Sequence, residues 1–462
     1  MTDLLLSLDR RRPLRAQIEL QLRDAVRGGR LAAGVAVPST RGLARELGVS
    51  RGVVVEAYAQ LVAEGYLVAR QGGPTRVAAA AAGARPPQEP LPSERPPRYD
   101  FRPGGPDVSL FPRAAWLTSL RRALRDAPDA RFDYGDPRGA PELRNALAAY
   151  LGRVRGAAID PERTVVTSGM AQGMALFGRV LAGRAVRTGR AARMAAEDPS
   201  SGPGRTQLAS GGVEVVGVPV DAEGLRVDLL GAAGPLDAVI VTPAHQFPLG
   251  VVLSPARRAA LVDWAAEAGA IVLEDDYDPE YRYDRAPVGA VQGLAPDHVA
   301  YAGSVSKTLA PGLRLGWIAA PAHFAEELMA AKRRDDLGTP VVEQLALADF
   351  LERGELDRHL RRTRVVYRAR RDALVEALAE LMPEATVEGV AAGLHLVVGL
   401  PEGVDEDACI AAAVERGIGL AGIAEHAVEP RPAALLLGYG RIAEPAIARG
   451  VAELVAAVRS AA

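Results

Sequence analysis

Residues 304–314 read Ser-Val-Ser-Lys-Thr-Leu-Ala-Pro-Gly-Leu-Arg and contain Lys307, one of only two lysines in the chain. The other 53 of the 55 positively charged Lys and Arg residues are arginines. Arginine can replace lysine wherever only a positive charge is needed. It cannot replace a lysine whose amine must lose its proton and form an imine. Serine and glycine flank Lys307, and Arg314 follows seven residues later. The segment therefore predicts an imine-forming lysine beside a phosphate site, whereas Lys332, within Lys-Arg-Arg-Asp-Asp, is predicted to be solvated.

The composition is that of a globular protein with 48% hydrophobic and 24% charged residues. A length of 462 residues predicts two or three domains. The single cysteine, Cys409, excludes an internal disulfide framework and is typical of a reducing compartment. No charge-free apolar stretch reaches about 18 residues, and no basic segment precedes the first apolar run. We therefore expect a cytoplasmic protein without membrane contact.

Positive charge is concentrated near the N-terminus. Residues 1–77 contain 12 arginines and 7 acidic residues, so the remainder carries the net negative charge. Residues 78–98 are rich in Ala and Pro and have almost no large apolar side chain, which predicts a semi-rigid linker. The sequence thus predicts a basic head at 1–77, a linker at 78–98 and a large body at 99–462.

The head has the pattern of three helices and a short hairpin. Apolar residues at helical spacing cover 14–26, and Ser39 and Ser50 are placed to cap the second and third helices. Gly48 falls in the turn between those helices, and two short apolar runs flank residues 71–74. The pattern favours a winged helix-turn-helix whose third helix enters a DNA major groove. A three-helix packing or dimerisation module is the alternative.

Residues 37–67, VPSTRGLARELGVSRGVVVEAYAQLVAEGYL, resemble the GntR-type winged-helix domain. The resemblance implies binding to a double-stranded DNA operator. It implies a DNA surface that includes Ser39, Arg41, Ser50, Arg51, Gly72 and Gly73, the last two at the wing tip. Two residues depart from the family pattern. Gly52 is expected to lower the stability of the recognition helix by up to ~1 kcal/mol, and Val53 stands where the family usually has threonine.

The body alternates helical segments with short apolar strands. The predicted strands cover 164–167, 213–216, 238–241, 270–273 and 299–301. Their continuous Val and Ile residues indicate a mostly parallel sheet buried on both faces. Ligands of such sheets bind at the carboxyl ends of the strands. The motifs found at those ends are 167–172, 242–250, 275–278 and 304–314.

Two of these motifs offer specific chemistry. Gly169 and Met170 open a helix whose backbone N–H groups can hold a phosphate. Asp275 and Tyr277 follow a strand, where a carboxylate can pair with a protonated pyridine nitrogen and a phenol can hold a ring oxygen. A metal site formed by Asp275, Asp276 and Asp278 is the alternative at this stage.

Residues 99–462 resemble fold-type-I pyridoxal 5'-phosphate (PLP) enzymes, and specifically the aminotransferase-like body of MocR-type regulators. The resemblance implies an α/β fold with a mostly parallel sheet, helices on both faces and a smaller C-terminal subdomain. It implies PLP as cofactor, Lys307 as its imine lysine, Asp275 as the pyridine-nitrogen partner and Tyr277 as the phenol on the ring oxygen. Further cofactor-binding residues are Ser304, Ser306, Arg314, Gly169, Met170 and Ala171, most of them at the phosphate.

The same resemblance implies a homodimer, because Tyr134 matches a tyrosine that reaches the phosphate of the other subunit. His245, followed by Gln246 and Phe247, stands where related enzymes place an asparagine near the ring. No metal is expected.

Two departures concern catalysis. Ser200-Ser201 replaces the family's stacking tyrosine, and Leu436 occupies the position of the arginine that holds the substrate carboxylate in aminotransferases. Arg431 and Arg441 lie nearby as substitutes. The sequence therefore favours a transcription regulator that senses PLP, or an amine or amino acid that forms an aldimine with it. The alternatives are a working aminotransferase with an accessory head, and a sensor of PLP alone.

Overall fold

The computed structural model describes residues 6–70, 73–79, 96–278, 280–283, 288–389 and 391–461. The chain divides into two compact units, residues 1–95 and 96–462. Most of the predicted linker, residues 80–95, lies outside the described residues. Among the residues that are described, no helix combines the length and the apolar character needed to cross a membrane.

The first unit contains three helices and a two-stranded sheet. Its elements are α1 (Leu14–Arg27), α2 (Thr40–Leu47), α3 (Arg51–Ala63), β1 (Leu67–Val68) and β2 (Arg76–Val77). The strands β1 and β2 pair antiparallel and form the wing. The core is formed by apolar residues of all three helices and the wing, including Ile18, Leu22, Leu43, Val54, Leu61 and Val77. This unit is the predicted winged helix-turn-helix.

The two predicted helix caps behave differently. The Ser39 hydroxyl accepts a hydrogen bond from the Gly42 N–H at 3.1 Å, as an N-cap of α2 should. Gly48 then ends α2 in the left-handed region with φ of 62°, where glycine carries no steric penalty. Ser50 occupies the predicted N-cap position of α3, but its side chain makes no capping hydrogen bond. The exposed Ser50 hydroxyl therefore does not stabilise the start of α3 by capping.

The second unit is an α/β body. Its helices are α4 (Arg113–Asp126), α5 (Pro141–Arg155), α6 (Met170–Arg187), α7 (Gly202–Ser210), α8 (Pro255–Ala268), α9 (Ala322–Asp336), α10 (Val341–Glu352), α11 (Glu355–Leu381), α12 (Glu406–Glu415) and α13 (Glu444–Ser460). Its strands are β3 (Tyr99–Asp100), β4 (Thr164–Thr167), β5 (Ala192–Asp198), β6 (Val213–Asp221), β7 (Gly224–Leu225), β8 (Ala238–Val241), β9 (Ile271–Asp275), β10 (Val299–Ser304), β11 (Gly316–Ala319), β12 (Thr386–Glu388), β13 (His395–Gly399), β14 (Ile418–Gly419), β15 (Ala421–Gly422) and β16 (Ala434–Gly438).

An eight-stranded sheet forms the centre of the body, in the order β4-β11-β10-β9-β8-β5-β6-β7. The five strands from β10 to β6 are parallel, and β11 runs antiparallel to both of its neighbours. The predicted mostly parallel sheet is confirmed. A separate antiparallel sheet, β12-β13-β16-β15, lies in the C-terminal part with α11 to α13 and forms the smaller subdomain.

Both faces of the central sheet are buried. Along β8, Ile240 belongs to a core shared with α6, α7 and α9, while Val239 and Val241 belong to a second core shared with α8. Successive side chains of a strand point to opposite faces, so the two cores lie on opposite sides of the sheet. This arrangement leaves the strand ends as the place where polar side chains can gather.

Candidate functional site

A cavity of about 660 Å³ lies at the carboxyl ends of the central strands. Most of the predicted cofactor residues line it, namely Met170, Ala171, Asp275, Tyr277, Ser304, Ser306, Lys307 and Arg314. They come from the ends of β9 and β10, the start of α6 and the loop before β11. The parallel sheet thus brings together residues that are up to 144 positions apart in the sequence.

Lys307 lies just beyond the end of β10 in a partly buried position. Its Nζ donates a hydrogen bond to the Gly104 carbonyl. Burial lowers the pKa of Lys307, and this outweighs the opposing effect of Asp278 and Asp275. A lower pKa increases the share of neutral amine, which is the form that attacks a carbonyl carbon.

Asp275 ends β9 and is buried at the inner wall of the cavity. Its Oδ1 has no hydrogen-bond partner among the described residues. Burial, followed by the nearby Asp276, raises the pKa of Asp275 to about 7. A buried carboxylate oxygen without a partner is costly, and a protonated ring nitrogen in the cavity would supply the missing donor and charge. The site therefore fits the pyridine ring of PLP.

Tyr277 and His245 form one hydrogen-bonded group at the side of the cavity. The Tyr277 hydroxyl lies 2.8 Å from Nδ1 of His245, and the same Nδ1 lies 3.1 Å from Oδ1 of Asp278. The planes of the two rings are inclined by 28°, with centroids 5.9 Å apart. His245 contacts Tyr277 and is absent from the cavity lining among the described residues. His245 therefore supports the Tyr277 hydroxyl without itself lining the cavity.

The part of the cavity formed by the start of α6 and Arg314 has the properties of a phosphate site. Gly169 precedes α6 with φ of 82°, and a Cβ at this position would lie 2.7 Å from the Arg314 guanidinium. Arg314 donates from Nη2 to the Ser168 carbonyl at 2.6 Å. The N–H groups at the start of α6 and the Arg314 guanidinium thus lie close together, as anion binding at a helix N-terminus requires. A side chain at position 169 would block this approach.

The three neighbouring carboxylates do not converge. Asp276 forms an ion pair with Arg155 at 2.7 Å and accepts a hydrogen bond from Tyr301 at 2.6 Å, while Asp278 is turned to His245. Within the described ranges, no group of three or more His, Cys, Asp or Glu residues is arranged to hold a metal ion. The alternative of a metal site at these aspartates therefore has no geometric support.

The position predicted for the carboxylate-binding arginine is apolar. Leu436 is fully buried in β16, within a small core that includes Val397. Arg431 lies 3.5 Å from the Asp198 backbone oxygen, and Arg441 lies against Gly105. Neither arginine is among the residues that line the cavity.

Several cavity residues are not predicted from the sequence: Arg102, Glu197, Arg205 and His426. Burial raises the pKa of Glu197 to about 7, although the Thr242 hydroxyl and N–H both donate to it. The Arg102 side chain donates two hydrogen bonds to Asp100, at 2.8 and 2.7 Å. Glu197 follows an apolar run, so recognition of β5 in the sequence would have placed it at a strand end. No sequence pattern of this kind marks Arg102.

Of the predicted cofactor residues, Tyr134, Gly169 and His245 are not among the residues that line the cavity. Tyr134 lies before α5 with 87% of its surface exposed. Gly72 lies outside the described residues. The other predicted DNA residues, Ser39, Arg41, Ser50, Arg51 and Gly73, are all exposed, at the starts of α2 and α3 and in the wing.

Both units match known families. Residues 14–77 match the gntR family of bacterial regulatory proteins, and residues 109–434 match aminotransferase class I and II. The probable rhizopine catabolism regulatory protein MocR of Rhizobium meliloti is 30% identical over 98% of this chain and 95% of its own length. The chain belongs to the MocR-type transcription regulators. Its predicted family, fold class and function as a PLP-dependent DNA-binding regulator are confirmed.

Other MocR-type relatives and solved structures agree with this assignment. The pyridoxine biosynthesis regulator PdxR of Corynebacterium glutamicum is 33% identical over 92% of each chain. The HTH-type regulator YhdI of Bacillus subtilis is 31% identical over 96% of this chain and 95% of its own. An archaeal alanine:glyoxylate aminotransferase has a TM-score of 0.72 and 27% identity, covering 78% of this chain and 91% of its own. The MocR-type head binds DNA, and the body has the fold of PLP enzymes.

Proposed function

We propose that this MocR-type regulator senses PLP, or a small amine or amino acid that binds to PLP, and controls transcription through its DNA-binding heads. The observation that carries the proposal is the contrast between the cofactor residues and the position predicted for the substrate arginine. The residues suited to the cofactor, such as Lys307 and Asp275, line one cavity, whereas the predicted arginine position is Leu436, which is buried in an apolar core outside the cavity lining. A cofactor site without that arginine suits a sensor better than a rapid transaminase.

Each cofactor residue has a distinct proposed role. Bound PLP supplies an aldehyde that reacts with primary amines. Lys307 provides the amine of the protein, Asp275 holds the ring nitrogen, and Tyr277, supported by His245, holds the ring oxygen. The phosphate is held by Gly169, Met170, Ala171, Ser304, Ser306 and Arg314.

The proposed assembly is a homodimer. Tyr134 is 87% exposed and lies outside the cavity of its own chain. We propose that it reaches the phosphate site of the partner subunit, so that each site uses residues of both chains. A dimer also presents two heads, as a two-part operator requires.

The decisive experiment is a PLP titration of the purified protein, followed by absorbance and borohydride reduction. We expect wild type to gain the band of a lysine-bound cofactor and a reducible covalent adduct, and Lys307→Ala to lose both while remaining folded. Because Lys332 is the only other lysine and does not line the cavity, no second lysine is available there to form the adduct in Lys307→Ala. A reducible adduct in Lys307→Ala would contradict the assignment.

An aminotransferase is the second candidate, because the aromatic-amino-acid aminotransferase 1 of Thermococcus litoralis is 31% identical over 77% of this chain. Transamination requires a firmly oriented substrate carboxylate, and the buried Leu436 cannot provide it. We expect keto-acid formation from amino donors and 2-oxoglutarate to be far slower than the ~10 s⁻¹ typical of enzymes. Turnover at that rate would favour the enzyme. A panel of amines that leaves the cofactor spectrum unchanged would favour a sensor of PLP alone.

A further inference from the structure

Lys332 is buried, so the prediction of a solvated lysine is wrong. Its side chain, on α9, has no exposed surface. Its Nζ donates to Oε1 of Gln172 at 2.9 Å, to Oδ2 of Asp336 at 2.6 Å and to Oγ1 of Thr339 at 2.8 Å. The three acceptors match the three hydrogens of an ammonium group. A buried charge is tolerated when it is paired and fully hydrogen-bonded in this way.

The acceptors connect Lys332 to the end of β4 and the start of α6. Oε1 of Gln172 also accepts from the Ser168 N–H at 2.7 Å. Thr339 donates from Oγ1 to the Val166 carbonyl at 3.2 Å. The Gln172 amide nitrogen donates to Asp335 and Asp336, which fixes the orientation of its side chain. Lys332 therefore holds the one side chain that binds the Ser168 N–H.

Ser168 is fixed from both sides. Its N–H is bound by Gln172, and its carbonyl accepts from Arg314 at 2.6 Å. The next residues, Gly169 and Met170, start α6 at the phosphate end of the cavity. A rotation of the Ser168 peptide would move the Arg314 guanidinium and redirect the first N–H groups of α6.

We propose that Lys332 is a positioning residue for the phosphate site, acting through Gln172 and Ser168. This inference rests on the proposed function, because it assumes that the phosphate of PLP binds at the start of α6. It also explains why a lysine stands here in a chain that, apart from Lys307, uses arginine. A guanidinium is planar and larger, and cannot place three donors on three acceptors arranged around one nitrogen.

The test compares PLP with pyridoxal, which lacks the phosphate. We expect Lys332→Met to weaken PLP binding by about ten-fold, because the contact with the phosphate anion is weakened. Pyridoxal binding should change by less than about two-fold. Lys332→Arg should show the same selective loss. A merely structural role would weaken both ligands equally, and that result, or no change in either, would overturn the inference.

Two further variants complete the test. Gln172→Ala removes the link but leaves the Lys332 ammonium bonded to Asp336 and Thr339, so it should reproduce the selective loss even if Lys332→Met fails to fold. Glu327→Gln is the matched control, since Glu327 joins the same helices, α9 and α6, at Arg184 and Arg187, far along α6 from Ser168. It should leave the preference for PLP over pyridoxal unchanged. Wild type that binds neither ligand would overturn the proposed function itself.

Discussion

At the scale of single residues, Asp275 contributes to the pH dependence of stability in the cofactor-free protein. Burial raises its pKa to about 7, compared with about 3.9 for an exposed aspartate. The folded protein thus holds this proton more tightly than the unfolded chain. Stability from this group is present at low pH and is lost as the pH rises through about 7. Burial raises the pKa of Glu197 and Glu280 to about 7 as well, so they add to the same trend.

Asp275→Asn should therefore reduce the pH dependence of stability in the cofactor-free protein. We expect wild type to melt at a lower temperature at pH 8 than at pH 6, and the variant to lose less between these values, since its amide carries no charge. Thermal unfolding across pH 5.5 to 8.5 measures this. Parallel curves for the two proteins would show that Asp275 does not titrate in this range. The variant should also bind PLP more weakly, because the ring nitrogen loses its charged partner.

Arg314→Ala isolates the phosphate contact. Its guanidinium packs against Gly169 and bonds the Ser168 carbonyl. A charged hydrogen bond contributes roughly 1.5–3 kcal/mol, so we expect PLP affinity to fall by at least about ten-fold. The lysine-bound absorbance should still appear at high PLP, because Lys307 is untouched. Loss of that band at every concentration would assign Arg314 to cofactor attachment.

At the scale of elements, a segment can be predicted from the sequence where its own residues favour its structure. It cannot be predicted where contacts with other elements determine that structure. The strands β4 and β8 match the predicted ranges because Val and Ile favour strands buried on both faces. The central strand β5 was missed because Ala-Arg-Met-Ala-Ala lacks β-branched residues, and its place is set by pairing with β6 and β8. Glu197 was missed with it. Likewise, the burial of Lys332 depends on partners in other elements, which spacing cannot show.

The two serines of the head provide an element-scale prediction. Only Ser39 uses its hydroxyl as a cap; Ser50 occupies the equivalent position without a capping bond. Ser39→Ala should destabilise the head by about 1 kcal/mol, and Ser50→Ala should change its stability much less. Because the head has its own core, denaturant unfolding of residues 1–79 can measure both. Equal losses would show that the Ser50 hydroxyl also caps α3 in solution. Each variant should lower DNA affinity, since both serines are exposed at the proposed surface.

At the scale of the whole molecule, charge is divided between the two parts of the chain. Residues 1–77 have an excess of five positive charges, and the whole chain has a net charge of −2. The body is therefore negative and is expected to contribute little non-specific attraction to DNA. Affinity for an operator must come from the heads, and a single head offers few phosphate contacts. A steep salt dependence is expected, because each neutralised phosphate releases counterions.

Full-length protein should therefore bind a duplex with two half-sites much more tightly than the isolated head does. In the proposed homodimer, the second head binds as an intramolecular event, which raises affinity by about 10²- to 10⁴-fold when the geometry allows both contacts. Binding measured for full-length protein and residues 1–79, on duplexes with one or two half-sites, tests this.

Arg51→Ala should lower affinity on both duplexes, because Arg51 is exposed at the start of α3. Arg30→Ala removes the same charge from an exposed position in the loop between α1 and α2, outside the predicted DNA surface, so it should cost less. Equal affinity of full-length protein for one and two half-sites would contradict paired heads and leave the dimer without a role in DNA recognition.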